Sequence, residues 1–374
     1  MTTDAVATGR EPVGHDRAGT GTRRFTVGLR ALFPWRAVVL PWFASRLLAA
    51  GVIIGATSWP FDRGLRFGGF QLWDGAWYTA IARAGYGAPP SGDIRSKWPF
   101  FPLLPEMMSG LDAIGLGDQA STVIVNQLAL LLAFAGVYRI ARRHASPQAS
   151  TLAVWLCAVF PGSFVFTMMY PSAIFLAATV WAFVFVEDGI DWAAAGCAVV
   201  AALVRPNGIL LVVALVIALW PAWRRMAIAC GPAVVAVVGW CIYLWDRTGD
   251  PVVFYTAKSA WPEVSILDLA TEPWRYDYAW PHFLLGVAAA AVVWYQRKRL
   301  PLAWKAWTAL LLVPPLLFGV VGLGRYANEC FPPFVAGGQL LERWPAWARR
   351  TVFAVSIVGL CFAGVMVIRF DRIP

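Results

Sequence analysis

The sequence predicts an all-α polytopic membrane protein, and three observations predict it. Of 374 residues, 59% are hydrophobic and only 14% charged, and the mean hydropathy is +0.61. A water-exposed domain cannot hide that much apolar surface. Apolar segments recur along the chain, divided by short loops rich in Arg and Lys. Twenty-one tryptophans suit a protein with many membrane–water boundaries, where amphipathic rings settle. The net charge of +10 does not indicate a nucleic-acid partner, because the basic residues sit between apolar segments and not on one polar face. Membrane lipids are the expected surroundings. The six cysteines lie in or beside apolar segments without CxxC spacing, which suits small core residues and not a metal site or disulfides. No cofactor and no metal are expected.

Residues 1–34 are polar and carry Arg10, Arg17, Arg23, Arg24 and Arg30. They are expected to form a disordered cytoplasmic tail, not a signal peptide. Residues 35–374 are expected to form one transmembrane domain. A first span at about 35–59 contains Arg46, which must face the bundle interior or snorkel. A large first outer loop follows at 60–118. Further spans are expected at about 120–140, 151–169 and 170–186. Two half-length apolar runs, 193–204 and 209–220, are divided by Arg205–Pro206–Asn207–Gly208. Such short runs suit a pair of shallow helices whose turn lines a cavity. A span at 227–244, a second outer loop at 245–280 and spans at 281–295 and 303–321 come next. Pro314–Pro315 is expected to kink the last of these. A short run to Leu341 and a final span ending near Ile368 complete about eleven membrane segments. Placing the tail inside puts five basic clusters inside and both long loops outside, as the positive-inside rule requires.

The stretch from Trp73 to Pro105 is dense in aromatics and has one carboxylate, Asp74, at its head. Trp73, Trp77 and Ile81, with Tyr78 and Ala82, recur at helical spacing, and Gly85 is a natural stop. A short interfacial helix results, holding Asp74 at headgroup height. Two readings stay open: Asp74 caps this helix, or it acts on a lipid headgroup. The other unusual polar residues also fall on the outer side: Asp93, Lys97, Arg205, Asn207, Arg325, Tyr326 and Glu329. Cations and a carboxylate around one cavity suit an anionic lipid phosphate and a hydroxyl that must lose its proton. Against this, lone arginines snorkel from helix ends, Lys97 suits phospholipid headgroups, and Asn207–Gly208 is a ready turn.

The run Trp73–Asp74–Gly75–x–Trp77–Tyr78, with Ile81–Ala82, Gly85–Tyr86 and Phe100–Phe101–Pro102–Leu103–x–Pro105, resembles the PIG-V-like mannosyltransferases of the GT-C superfamily, found in bacteria and in glycosylphosphatidylinositol assembly. Tyr170, Arg205–Pro206–Asn207–Gly208 and Arg325–Tyr326 with Phe331–Pro332 extend the resemblance. One departure is Tyr170–Pro171–Ser172–Ala173, which has no acid where the family often carries Tyr-x-Glu-Ser. The resemblance implies a GT-C-like bundle whose first outer loop carries the catalytic motif. It also implies a polyprenyl-phosphate sugar donor, with mannose as the sugar, and a lipid or cell-envelope glycan acceptor.

Nothing in the sequence resembles a nucleotide-binding βα turn, consistent with a lipid-linked donor. The expected reaction is an inverting displacement with Asp74 as general base. Arg325, Arg205 and Lys97 are the expected phosphate contacts. Trp73, Trp77, Tyr78, Phe100, Phe101, Tyr170, Asn207 and Tyr326 are the expected substrate-binding residues, although interfacial packing accounts for the aromatics nearly as well. The alternatives are a lipid or sugar transporter and a catalytically inactive scaffold of the same fold.

Overall fold

In the computed structural model, which describes residues 33–58, 73–90, 95–261 and 263–370, every helix or strand assigned among the described residues is a helix. Most of the expected tail, part of the first outer loop and Asp93 lie outside the described residues. A π-helical turn at Trp35–Val39 leads into α1 (Leu40–Ser58). The first outer loop carries α2 (Asp74–Ala84) and α3 (Leu103–Asp112). Then come α4 (Asp118–His144), α5 (Pro147–Val159), α6 (Ser172–Asp188), α7 (Asp191–Val204), α8 (Leu210–Leu219) and α9 (Trp223–Thr248). The second outer loop holds two short helices, α10 (Val253–Thr256) and α11 (Ile266–Thr271). The chain closes with α12 (Trp280–Tyr295), α13 (Leu302–Phe318), α14 (Leu323–Asn328), α15 (Phe331–Leu341) and α16 (Ala346–Phe370).

Among the described residues, five helical stretches are long and apolar enough to cross a bilayer: Trp35–Thr57, Ala120–His144, Trp223–Thr248, Asp277–Tyr295 and Ala346–Arg369. A sixth results if the bent pair Pro147–Val159 and Pro161–Thr167 is one span. Three apolar stretches, Asp191–Val204, Pro206–Leu219 and Leu302–Phe318, are shorter. The expected eleven segments included such short runs.

Helix α6 is apolar and buried on nearly every side, as a helix without a polar face must be. Helices α4 and α7 pack against it, α9 against α7, and α13 against α8. Helix α15 is likewise buried and lies on α5. Helix α16 leaves Val355, Val358 and Phe362 exposed, an apolar face suited to lipid.

One expected span is broken. Residues 151–169 do not form one helix: α5 ends at Val159, and a 3₁₀ turn, Pro161–Thr167, departs at 69°. Pro161 has no N–H to continue the ladder and forces Phe160 into an extended conformation. The Ser163 hydroxyl bonds the Cys157 carbonyl at 2.6 Å and Asn328 Oδ1 at 2.9 Å. The break thereby carries α14, because a Cβ on Gly162 would stand 2.9 Å from the Gly324 carbonyl oxygen. Pro314 and Pro315 lie inside α13, which continues through them to Phe318.

The half-length pair forms as its composition suggests. Helix α7 ends at Val204, Arg205 is extended, and a 3₁₀ turn at Pro206–Ile209 leads into α8. Gly208 closes this turn against α7, where a Cβ would come within 1.9 Å of the Ala201 oxygen. Gly208→Ala is expected to lower stability by about 3 kcal/mol, the upper part of the overpacking range. Thermal unfolding in detergent checks this, and an unchanged melting temperature would show that the turn has room.

Polar groups gather at both ends of the bundle. At one end Arg139 and Arg143 of α4 pair with Glu187 and Asp188 of α6, and Arg225 of α9 pairs with Asp191 of α7. Asp74, Arg205, Arg325 and Glu329 cluster at the other.

Candidate active site

Helix α2 starts at Asp74, but Asp74 is not its cap. The N-cap position falls on Trp73, which makes no side-chain cap bond and has φ 57°, the only positive φ of a non-glycine residue among the described residues. Such a backbone is costly and is held only where surrounding contacts demand it. Here it aims the Asp74 N–H at the Tyr170 hydroxyl, 3.1 Å away. The helix stops as its spacing indicates, with the Gly85 N–H on the Ile81 carbonyl at 2.7 Å. Tyr170 is fixed from below, since Asn126 of α4 donates to the Met168 carbonyl at 2.9 Å.

The Asp74 carboxylate instead accepts from Arg325 Nη1 at 3.1 Å, across 251 residues of sequence. Both side chains retain access to solvent, 25% for Asp74 and 14% for Arg325. The Arg325 guanidinium carbon lies 5.2 Å from the Tyr170 ring centroid and 5.7 Å from that of Tyr326, distances at which a cation and an aromatic face attract. Burial alone would lower the proton affinity of Arg325, but Asp74 and the neighbouring tyrosines outweigh it and hold the group above its ordinary value. Burial, reinforced by Asp74, pushes the Tyr170 phenol up, so it stays neutral and able to share its hydrogen bond.

A second pair lies beside the first. Arg205 bonds Glu329, with side chains 7% and 0% exposed. The Arg205 guanidinium stands over Tyr326 at 5.6 Å and over Phe175 of α6 at 5.9 Å. Tyr78 senses all four charges: burial raises its phenol, Arg205 and Arg325 oppose that, and Asp74 and Glu329 add to it.

Trp77, Tyr78 and Phe100 gather next to these charges. Trp77 stacks on Phe100 at 5.9 Å, and Tyr78 meets Phe100 edge-on at 5.2 Å. Trp261 of the second outer loop joins them, 5.6 Å from Trp77 and 5.7 Å from Phe100. Sequence reasoning missed Trp261; one tryptophan among 21 in a long loop carries no local signal.

Other expected site residues are placed differently. Lys97 donates to the carbonyls of Ala80 at 3.1 Å and Gly85 at 2.8 Å, closing the C-terminal end of α2. Phe101 packs on Trp240 and Phe254 in a separate apolar patch. Asn207 is half-buried in the turn after Arg205, where its carbonyl accepts from Leu210. Arg46 reaches Thr167 at 3.2 Å and braces the 3₁₀ turn below Tyr170. Among the described residues, the buried polar atoms Trp73 Nε1, Arg325 Nε, Ser172 Oγ and Glu329 Oε1 have no hydrogen-bond partner.

Residues 99–245 match the family model described as dolichyl-phosphate-mannose-protein mannosyltransferase. The matched segment begins after Asp74, and the match does not confirm the PIG-V-like family that the first-loop motif resembles. No curated protein matches the chain. Among solved structures, ArnT from Cupriavidus metallidurans, bound to undecaprenyl phosphate, is similar with a TM-score of 0.55 and 17% identity, over 87% of this chain. The fold is a GT-C fold. The chain spans 63% of that ArnT's length. The apo oligosaccharyltransferase from Archaeoglobus fulgidus matches at 12% identity and a TM-score of 0.49, over 90% of this chain and 56% of that one.

Proposed function

We propose that the protein is a membrane glycosyltransferase that moves a sugar from a polyprenyl-phosphate donor to a lipid or cell-envelope glycan acceptor. The observation that carries this is the contact between Asp74 and Arg325: a carboxylate and a guanidinium 3.1 Å apart, both reachable from solvent. The family match and the GT-C fold support a glycosyltransferase, and the family description together with the PIG-V-like motif supports mannose. ArnT's bound undecaprenyl phosphate supports the donor class.

The proposed step is a single displacement with inversion. The donor phosphate competes with Asp74 for Arg325, freeing the carboxylate for the acceptor hydroxyl. Asp74 takes that proton as the oxygen attacks C1 of the sugar. The bond from C1 to the phosphate oxygen breaks, and polyprenyl monophosphate departs with its charge on Arg325. A glycosidase needs a second carboxyl group to protonate its leaving oxygen, whereas phosphate leaves as a stable anion. Trp77, Tyr78, Phe100 and Trp261 offer a platform for sugar or prenyl chain. The distribution of the basic clusters supports an N-terminus in the cytoplasm and this site on the outer face.

The test is transfer in sealed vesicles of known orientation, with labelled polyprenyl phosphate mannose and envelope lipid supplied to one face. Product formed only from the outer face is expected. No transfer of any hexose, with either face supplied, would favour a transporter or an inactive scaffold.

A further inference from the structure

We propose that Glu329 and Arg205 are positioning residues that seat the Arg325 guanidinium through Tyr326. The inference rests on the glycosyltransferase reading above, in which Arg325 meets the donor phosphate. Four observations carry it. The Arg205–Glu329 pair is almost fully enclosed, and the Arg205 side chain is 7% exposed against 14% for Arg325. Both guanidiniums stand over the same ring, Tyr326, at 5.6 and 5.7 Å, so the place of one constrains the other. Arg205 is also held against Phe175 of the central helix α6, which gives this arrangement a fixed floor. Finally, Glu329 holds Arg325 by the backbone too, donating its N–H to the Arg325 carbonyl at 3.1 Å.

The arrangement answers an electrostatic difficulty. Two guanidiniums sharing one ring repel each other, and in a low-dielectric interior that repulsion is strong. Glu329 neutralises Arg205 on its buried side. Arg325 can then stay beside Tyr326 and Tyr170 with its charge directed at Asp74 and the incoming phosphate. Removing the Glu329 charge would leave Arg205 uncompensated, and Arg325 would be displaced although its own ligands remain.

The experiment is a double-mutant cycle read by binding of undecaprenyl phosphate to the purified protein. Glu329→Gln is expected to weaken binding ~tenfold, within the range measured for side chains that interact. In an Arg325→Met background the same change is expected to have no further effect. In transfer assays the donor KM should rise and kcat should fall with it, because Arg325 also meets the departing phosphate. Because Glu329→Gln strands a buried arginine and endangers folding, a second variant removes both charges: Arg205→Met with Glu329→Leu. It is expected to fold, and to lose affinity because Tyr326 is no longer held. Wild-type affinity in a folded double variant, or equal losses with and without Arg325, would make the pair a structural brace only and overturn the proposal. If the unaltered protein binds no undecaprenyl phosphate, the donor reading itself falls and takes this one with it.

Discussion

Asp74→Asn is expected to give a folded, membrane-inserted protein that transfers almost no sugar. Removing a general base typically slows a reaction by ~10²–10⁴. The exchange keeps the size of the side chain and leaves an oxygen to accept from Arg325, whose bond to Asp74 is 3.1 Å long. It also spares the N–H bond to Tyr170, which is made by the backbone. The structural cost is small, because the position is one-quarter exposed and a first-turn carboxylate contributes only ~0.3–1 kcal/mol to the helix dipole. Rate and stability therefore separate. The check is transfer rate alongside thermal unfolding. Near-native turnover in a stable variant would show that Asp74 is not the base.

Arg325→Met is expected to be nearly as damaging, by another route. Losing one preorganised charge at a developing anion costs ~10²–10³ in rate. Methionine fills the volume and packs well against the rings of Tyr170 and Tyr326, so the turn at α14 should persist. Asp74 is left without its partner but retains access to water. Arg325→Lys is the informative companion: it restores the charge without the planar fork, and should recover part of the lost rate. A steady-state comparison of the three proteins checks this. Rates within ~threefold of the original for Arg325→Met would contradict a phosphate contact at this residue.

Local signals made much of this legible in advance. The i+4 spacing from Trp77 to Ile81 and the stop at Gly85 anticipate α2 almost residue for residue. The short apolar runs flanking Arg205–Pro206–Asn207–Gly208 anticipate α7, the turn and α8. The helix broken at Pro161 was not anticipated. The sequence does carry a turn signal there, Pro161–Gly162–Ser163, but the apolar residues on both sides dominate a hydropathy window and hide it. The partners of the charged residues were also hidden. Arg205 and Glu329 are 124 residues apart, and nothing in the neighbourhood of either names the other. Lys97 read as a headgroup or phosphate cation because its charge is visible in sequence, while the carbonyls of Ala80 and Gly85 that occupy it are not.

The short bridge between Asp74 and Arg325 has an electrical consequence. In the proposed reaction the carboxylate loses its negative charge as the phosphate gains one, so charge is relocated and the total is unchanged. The relocation spans about the width of one guanidinium, a small part of the ~30 Å hydrocarbon core. A charge crossing the whole membrane feels ~2.3 kcal/mol per 100 mV, but one displaced so little feels only a small part of that. The chemical step would thus proceed at nearly the same rate in an energised membrane as in a collapsed one, with the driving force held in the sugar–phosphate bond.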